Sequence, residues 1–157
     1  MPKIDQAAAP RVFGSTYPAP FDEPIKGRVG VRLGAAAGLE QFGVNLVTLP
    51  PGAWSSQRHW HEKEDEFVYV LDGELVLVED EGETLLKAGD AAGFKAGTRN
   101  GHHLINRSGR DATFLAVGSR IGEDFGEYSD IDMRFARNGY RQTVGSAYTR
   151  KDGRPCP

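Results

Sequence analysis

The chain has 157 residues, and its 19 basic and 22 acidic side chains leave a formal net charge of −3. A chain of this length suits one domain with its own apolar core, and its 39% hydrophobic and 26% charged residues exclude wholesale disorder. The mild acidity argues against nucleic acid or an anionic membrane as partner, and no apolar run approaches the roughly 20 residues of a membrane span. The opening MPKIDQAAAPRVFG lacks the pattern of a signal peptide, and the lone Cys156 excludes an internal disulfide, so a reducing, cytoplasmic setting is expected.

Residues 1–27 read as an irregular arm, because APRVFG and TYPAPFDEPIKG are proline-rich and proline blocks long helices and central strands. Its Val12, Phe13, Tyr17 and Phe21 are apolar enough to cover one end of the domain or to cross to a second subunit. From Arg28 the text turns strand-like, with Val29, Val31 and Leu33 on one face. AAAGLEQ suits a loop or a short helical turn, and QFGVNLVTL is a strand ended by Pro50-Pro51-Gly52. SSQRHWH, EFVYVLDG, ELVLVEDEG, ETLLKAGD, AAGFKAG, HHLINRSG and ATFLAVGSR follow as short apolar or alternating runs closed by glycine turns. Asp72-Gly73, between EFVYVL and ELVLVE, predicts a hairpin. Many short strands at this spacing make a sandwich or barrel with little helix, expected over residues 28–120. Residues 121–157 form a C-terminal extension, in which RIGEDFGEYSDIDMRFA reads as a loop and a short strand.

The four histidines fall in two places, His59 and His61, then His102 and His103. In an extended segment residues i and i+2 share a face, so His59 and His61 point together and Trp60 points away. Glu66 opens the next strand after the polar bend EKED, where its carboxylate can return beside the two imidazoles. In HHLIN, alternation sets His102, Leu104 and Asn106 against His103 and Ile105. Three neutral imidazoles and one carboxylate are a mixed N/O donor set for a divalent transition metal.

These residues resemble the two motifs of the cupin family. Gly52, His59, His61, Glu66 and Gly73 resemble the first motif, and Gly89 to Asn106, with His102 followed by Asn106, resembles the second. The resemblance spans about residues 40–120. Gly52 stands one residue further from His59 than is common, Lys95 stands where proline is usual, and four residues rather than two separate Gly97 from His102. It implies one cupin domain over 1–157, an all-β double-stranded β-helix or jelly-roll barrel. It further implies a metal held by His59, His61, Glu66 and His102 in the barrel mouth, with dimers common. Alternation and Asn106 favour His102 over His103 as the fourth ligand.

Manganese, iron, nickel, zinc and cobalt all suit such a set. Gln57 is in phase with His59 and His61 and is a candidate to bond a substrate. Arg99, with Asn100 in the loop entering His102, could hold a phosphate or carboxylate, and Trp54 could wall the pocket. Tyr69 should face away from the metal. Trp60, Phe67 and Tyr69 form an apolar outer face that invites the arm or a second subunit, so a homodimer with the arm involved is expected. Because small bacterial single-domain cupins of this kind include proteins labelled sugar-phosphate isomerases, the resemblance implies a metal-dependent isomerase or epimerase of a small polar metabolite. The alternatives are an iron dioxygenase and a non-catalytic module that binds a metal and a small ligand. Neither a general base nor a second carboxylate on the ligand face is evident.

Overall fold

The computed structural model describes residues 3–138 and 147–156; residues 139–146 of the expected C-terminal extension lie outside the described residues. The strands are β1 (Arg11–Phe13), β2 (Val29–Arg32), β3 (Phe42–Leu49), β4 (Glu66–Asp72), β5 (Glu74–Glu79) and β6 (Gly82–Lys87). They continue as β7 (Ala91–Phe94), β8 (His103–Ile105), β9 (Ala112–Ser119), β10 (Glu123–Glu127), β11 (Arg134–Asn138) and β12 (Ala147–Thr149). Among the described residues, helix amounts to one turn, α1 (Leu33–Ala36), and a 3-10 turn at Glu23–Ile25. The expected all-β class stands.

Among the described residues three antiparallel sheets form, in the orders β1-β2-β3-β9-β4-β7, β6-β5-β8 and β10-β11-β12. The first two face each other around the core. Val47 and Leu49 of β3, Val70 of β4 and Phe114 of β9 meet Leu75 and Leu77 of β5, all buried. Each strand supplies alternate residues, because the pleat sends i and i+2 to one face. A fully buried side chain of this size stabilises the fold by about 1.5–3 kcal/mol.

Three expectations are corrected. The Asp72-Gly73 hairpin does not form, since β4 pairs with β7 and β9 whereas β5 pairs with β6 and β8. Gly73 instead turns the chain from one sheet to the other, at φ 79°, and a Cβ there would stand 2.9 Å from the Ala112 backbone. The arm is not wholly irregular, because β1 pairs with β2 as an edge strand between prolines. In the extension, β10 is a strand rather than a loop, paired along its length with β11.

The arm is docked within its own chain. Tyr17 and Phe21 pack beside Tyr128, Met133 and Phe135 of the extension, and the Tyr17 and Tyr128 rings meet edge to face at 5.3 Å. Trp60 is also buried, its ring 6.4 Å from Phe125. The other two predicted outer aromatics stay open: Phe67 and Tyr69, with Leu71, are exposed along β4. They stand in rows with Val117 and Leu115 of β9 and Val44 and Leu46 of β3. No helix among the described residues is long and apolar enough to cross a membrane.

The corner at Gly73 yields a direct test. Gly73→Ala is expected to lower the unfolding free energy by about 1–3 kcal/mol, through positive φ and the clash with Ala112, read as a fall in the denaturation midpoint.

Candidate metal centre

The segment carrying His59 and His61 is not a regular strand, contrary to the expectation for SSQRHWH. It is an extended run held on two sides. On one side His59 and His102 exchange backbone hydrogen bonds, N to O at 3.3 and 2.9 Å, and Ser55 N donates to Leu104 O at 2.8 Å. On the other, Trp60 N donates to Glu127 O at 3.3 Å and Glu62 N to Phe125 O at 2.9 Å. The extension therefore forms one wall of the histidine segment. Gly126 allows this close approach, since a Cβ there would fall 1.9 Å from Trp60 O.

Oε2 of Glu66 is the point of convergence. Nε2 of His102 lies 2.8 Å from it, Nε2 of His61 3.5 Å and Nε2 of His59 3.8 Å. Ligand atoms of His59, His61 and Glu66 all lie within 4.8 Å of one another, whereas His102 joins the group through Glu66. His103 points elsewhere: its Nδ1–H donates to Ser56 O at 2.9 Å, and its ring meets Trp54 edge to face at 4.8 Å.

The far side of each imidazole decides how it is aimed. His59 donates its Nδ1–H to the carbonyl of Gln57 at 2.9 Å. His61 donates its Nδ1–H to Oδ2 of Asp124 at 2.6 Å, and both side chains are almost fully buried. Such bonds fix the tautomer that leaves Nε2 to a metal. His102 is set differently, by the Phe94 ring stacked on it at 3.5 Å and 1°; its Nδ1 is buried without a hydrogen bond among the described residues.

The electrostatics follow from this burial. Burial pushes His59 down to about 3, against the attraction of Glu66. Burial alone would lower His61 as well, but Glu66 and Asp124 outweigh it and raise its pKa. Burial would raise the Glu66 pKa, yet His61 and the hydrogen bond from His102 hold it well below the usual carboxylate range. A neutral imidazole and an ionised carboxylate are the forms that bind metal. The donors and their aimed Nε2 atoms fit a divalent transition ion. A second buried group, His61, Glu64 and Asp124, shares His61. Its carboxylates are otherwise engaged, since Glu64 accepts from Arg137 at 2.7 Å and Asp124 from Lys63 N at 2.9 Å.

The centre opens on a cavity of about 180 Å³. Its walls include His61, Glu66, His102, Phe94, Glu79 and Asn100. The three side chains proposed from sequence as substrate contacts lie off these walls. Gln57 is buried and donates its Nε2–H to Phe21 O at 2.7 Å, tying down the arm. Arg99 lies 5.0 Å over the Trp60 ring and 3.4 Å from Glu62. Trp54 packs on His103. In each case a neighbour invisible in the local pattern captures the side chain: the arm for Gln57, and other segments of the barrel for Arg99 and Trp54. Asp124, Phe94 and Glu79 were missed by the sequence reading. For Glu79 a signal existed: in ELVLVE, Leu75 and Leu77 are buried and Glu79 is next in phase.

Residues 45–118 match the family model described as Cupin domain. A protein of Silicibacter pomeroyi DSS-3, described as a sugar phosphate isomerase from a cupin superfamily, is 49% identical over 99% of this chain and 97% of that one, with TM-score 0.92. The chain belongs to the cupin superfamily. Its two facing sheets are accordingly the double-stranded β-helix of that superfamily. A second structure, from Acidithiobacillus ferrooxidans and provisionally described as a sugar phosphate isomerase, is 29% identical over 80% of this cupin and 77% of its own chain, with TM-score 0.72. A polyketide cyclase of Streptomyces resistomycificus, 21% identical over 91% of this chain and 88% of that one at TM-score 0.61, shares the fold alone. Nothing among the curated proteins matches significantly.

The aimed imidazoles predict uptake of one divalent ion per chain, lost in His59→Ala and His102→Ala and kept in His103→Ala, by elemental analysis. Asp124→Asn is expected to weaken metal affinity about 10–100-fold by calorimetric titration, with the β-rich fold retained by circular dichroism.

Proposed function

We propose that this cupin is a metal-dependent enzyme acting on a small polar metabolite, an isomerase or epimerase of a sugar or sugar phosphate. The convergence of His59, His61 and His102 on Glu66 at the wall of a small cavity carries the reading. The similarity to a protein described as a sugar phosphate isomerase supports the choice of reaction.

On this reading His59, His61, Glu66 and His102 hold manganese, iron, nickel, zinc or cobalt. When bound, such an ion supplies the positive charge that polarises a carbonyl. The chain does the rest. Asp124 and the Gln57 carbonyl keep two imidazoles aimed, and Phe94 covers the third. A cavity of about 180 Å³ is below the range of about 300–1,000 Å³ that suits drug-sized ligands, so it admits a few-carbon metabolite or the reacting end of a longer one.

A second copy is the partner that the exposed Phe67, Tyr69 and Leu71 on β4 suit best. Phe67 and Tyr69 continue the apolar rows of β9 and β3, and a contiguous face of this kind calls for burial. Since Tyr17 and Phe21 of the arm are used within the chain, the sheet face rather than those residues is the contact.

Two measurements test these readings. Metal-loaded protein is expected to interconvert aldose and ketose phosphates or the free sugars, and to lose this in His102→Ala. Iron-dependent oxygen uptake with aromatic diols would replace isomerisation with a dioxygenase. Binding without turnover in every loaded form would leave a ligand-binding module. Light scattering at micromolar concentration is expected to give a dimer, shifted towards monomer by Phe67→Asp; a monomeric wild type would refute the contact.

A further inference from the structure

Proton transfer in this cavity needs a carboxylate that is neither a ligand nor already paired. Three glutamates line the cavity: Glu64, Glu66 and Glu79. Glu66 sits among the histidines, with Oε2 within 3.8 Å of all three Nε2 atoms. Glu64 is committed on both oxygens, accepting from Ile121 N at 3.1 Å and from Arg137 at 2.7 Å. Glu79 differs from both. It is the last residue of β5, in phase with the buried Leu75 and Leu77, so its side chain follows theirs to the inner face.

Asn100 fixes the Glu79 carboxylate. The Asn100 Oδ1 accepts from Asp80 N at 2.9 Å, which settles the amide orientation, and its Nδ2 donates to Oε1 of Glu79 at 3.2 Å. Oε2 of Glu79 has no hydrogen-bond partner among the described residues. One oxygen is therefore held and the other is left for a ligand, on the same cavity as Glu66 and His102.

We propose that Glu79 is the proton-transferring residue of this site, the base that moves a proton between adjacent carbons of a hydroxy-carbonyl substrate. The proposal rests on the isomerase reading above and supplies its substrate class: an aldose or ketose with a hydroxyl next to the carbonyl. Glu79 takes the proton from the carbon bearing that hydroxyl. The C–H electron pair becomes the C=C bond of an enediolate, and the carbonyl π pair moves to its oxygen, which carries the negative charge that Glu79 gives up. In the return step the hydroxyl proton passes from the second oxygen to the first, and the second oxygen forms the new carbonyl. The C=C pair then takes the proton back from Glu79 at the former carbonyl carbon. No oxidant or reductant is consumed. Glu79 touches the reacting atoms, whereas Asn100 acts through Glu79 and is a positioning residue.

The experiment uses full-length protein loaded with manganese or zinc, with aldopentose and aldohexose phosphates and the free sugars as probes. Glu79→Gln keeps an acceptor for Asn100 and removes the base. It is expected to lower kcat about 100-fold or more, with KM and metal content within twofold of wild type. Glu79→Asp, which keeps the charge but withdraws it by one methylene, is expected to lose at least tenfold, and it carries the test if circular dichroism shows Glu79→Gln misfolded. Asn100→Ala is expected to lower kcat less than Glu79→Gln at unchanged metal content. Isomerisation by the folded, metal-loaded variant within about threefold of wild type overturns the role of Glu79 and leaves the isomerase reading standing. A loaded wild type inert towards every probe overturns the isomerase reading, and the base with it.

Discussion

The hydrogen bond from His61 to Asp124 joins the histidine segment to the C-terminal extension, across 63 residues of sequence. His61 belongs to the barrel motif, and Asp124 belongs to a strand beyond the end of the barrel. Both are buried, so neither can turn to water if the link is broken, and a lost partner would leave a polar group stranded in the interior. The histidine segment has no ladder of its own. It stays extended because β10 holds it on one side and the His102 segment on the other. Aim of the imidazoles, burial of Trp60 and docking of the arm on Tyr128 all follow from that placement.

How much of this could be read in the residues depends on the range of the interaction. Alternation placed His59 with His61 and His102 with Leu104 and Asn106, because the side-chain period of an extended chain is local. It also placed Trp60 and His103 on the opposite sides, as observed. The Gly73 corner was misread because Asp-Gly serves a hairpin and a sheet-to-sheet turn equally well; the nearby Ala112, 39 residues on, decides between them. Gln57 was in the right phase for the cavity, but Phe21 from the arm captures its amide. Arg99 was in the right loop, but Trp60 and Glu62 capture its guanidinium. Such captures depend on segments distant in sequence, 36 residues away for Gln57 and about as far for Arg99, which no local pattern encodes. Glu79 is legible by phase, as the next inward position after Leu75 and Leu77.

One fold can host different chemistries, and the likeness to a polyketide cyclase is one of fold alone. In this cupin a ring of groups lies just outside the candidate ligands. In this chain the ring is Asp124 behind His61, Phe94 over His102, and the Asn100–Glu79 pair across the cavity. Two of the three bear charge or hydrogen bonds that orient a reacting group. The third, Phe94, is apolar and keeps water from one side of His102, which raises the worth of every electrostatic contact in the cavity.

We propose that His59, His61, Glu66 and His102 form one ion site and that the buried His61, Glu64 and Asp124 group does not. Crystals of the protein soaked in manganese and measured at an energy with strong anomalous signal decide between the two. One anomalous peak is expected about 2.0–2.3 Å from the Nε2 atoms of the three histidines and from a Glu66 oxygen. A peak between Asp124 and Glu64, or none at saturating manganese, would refute the site.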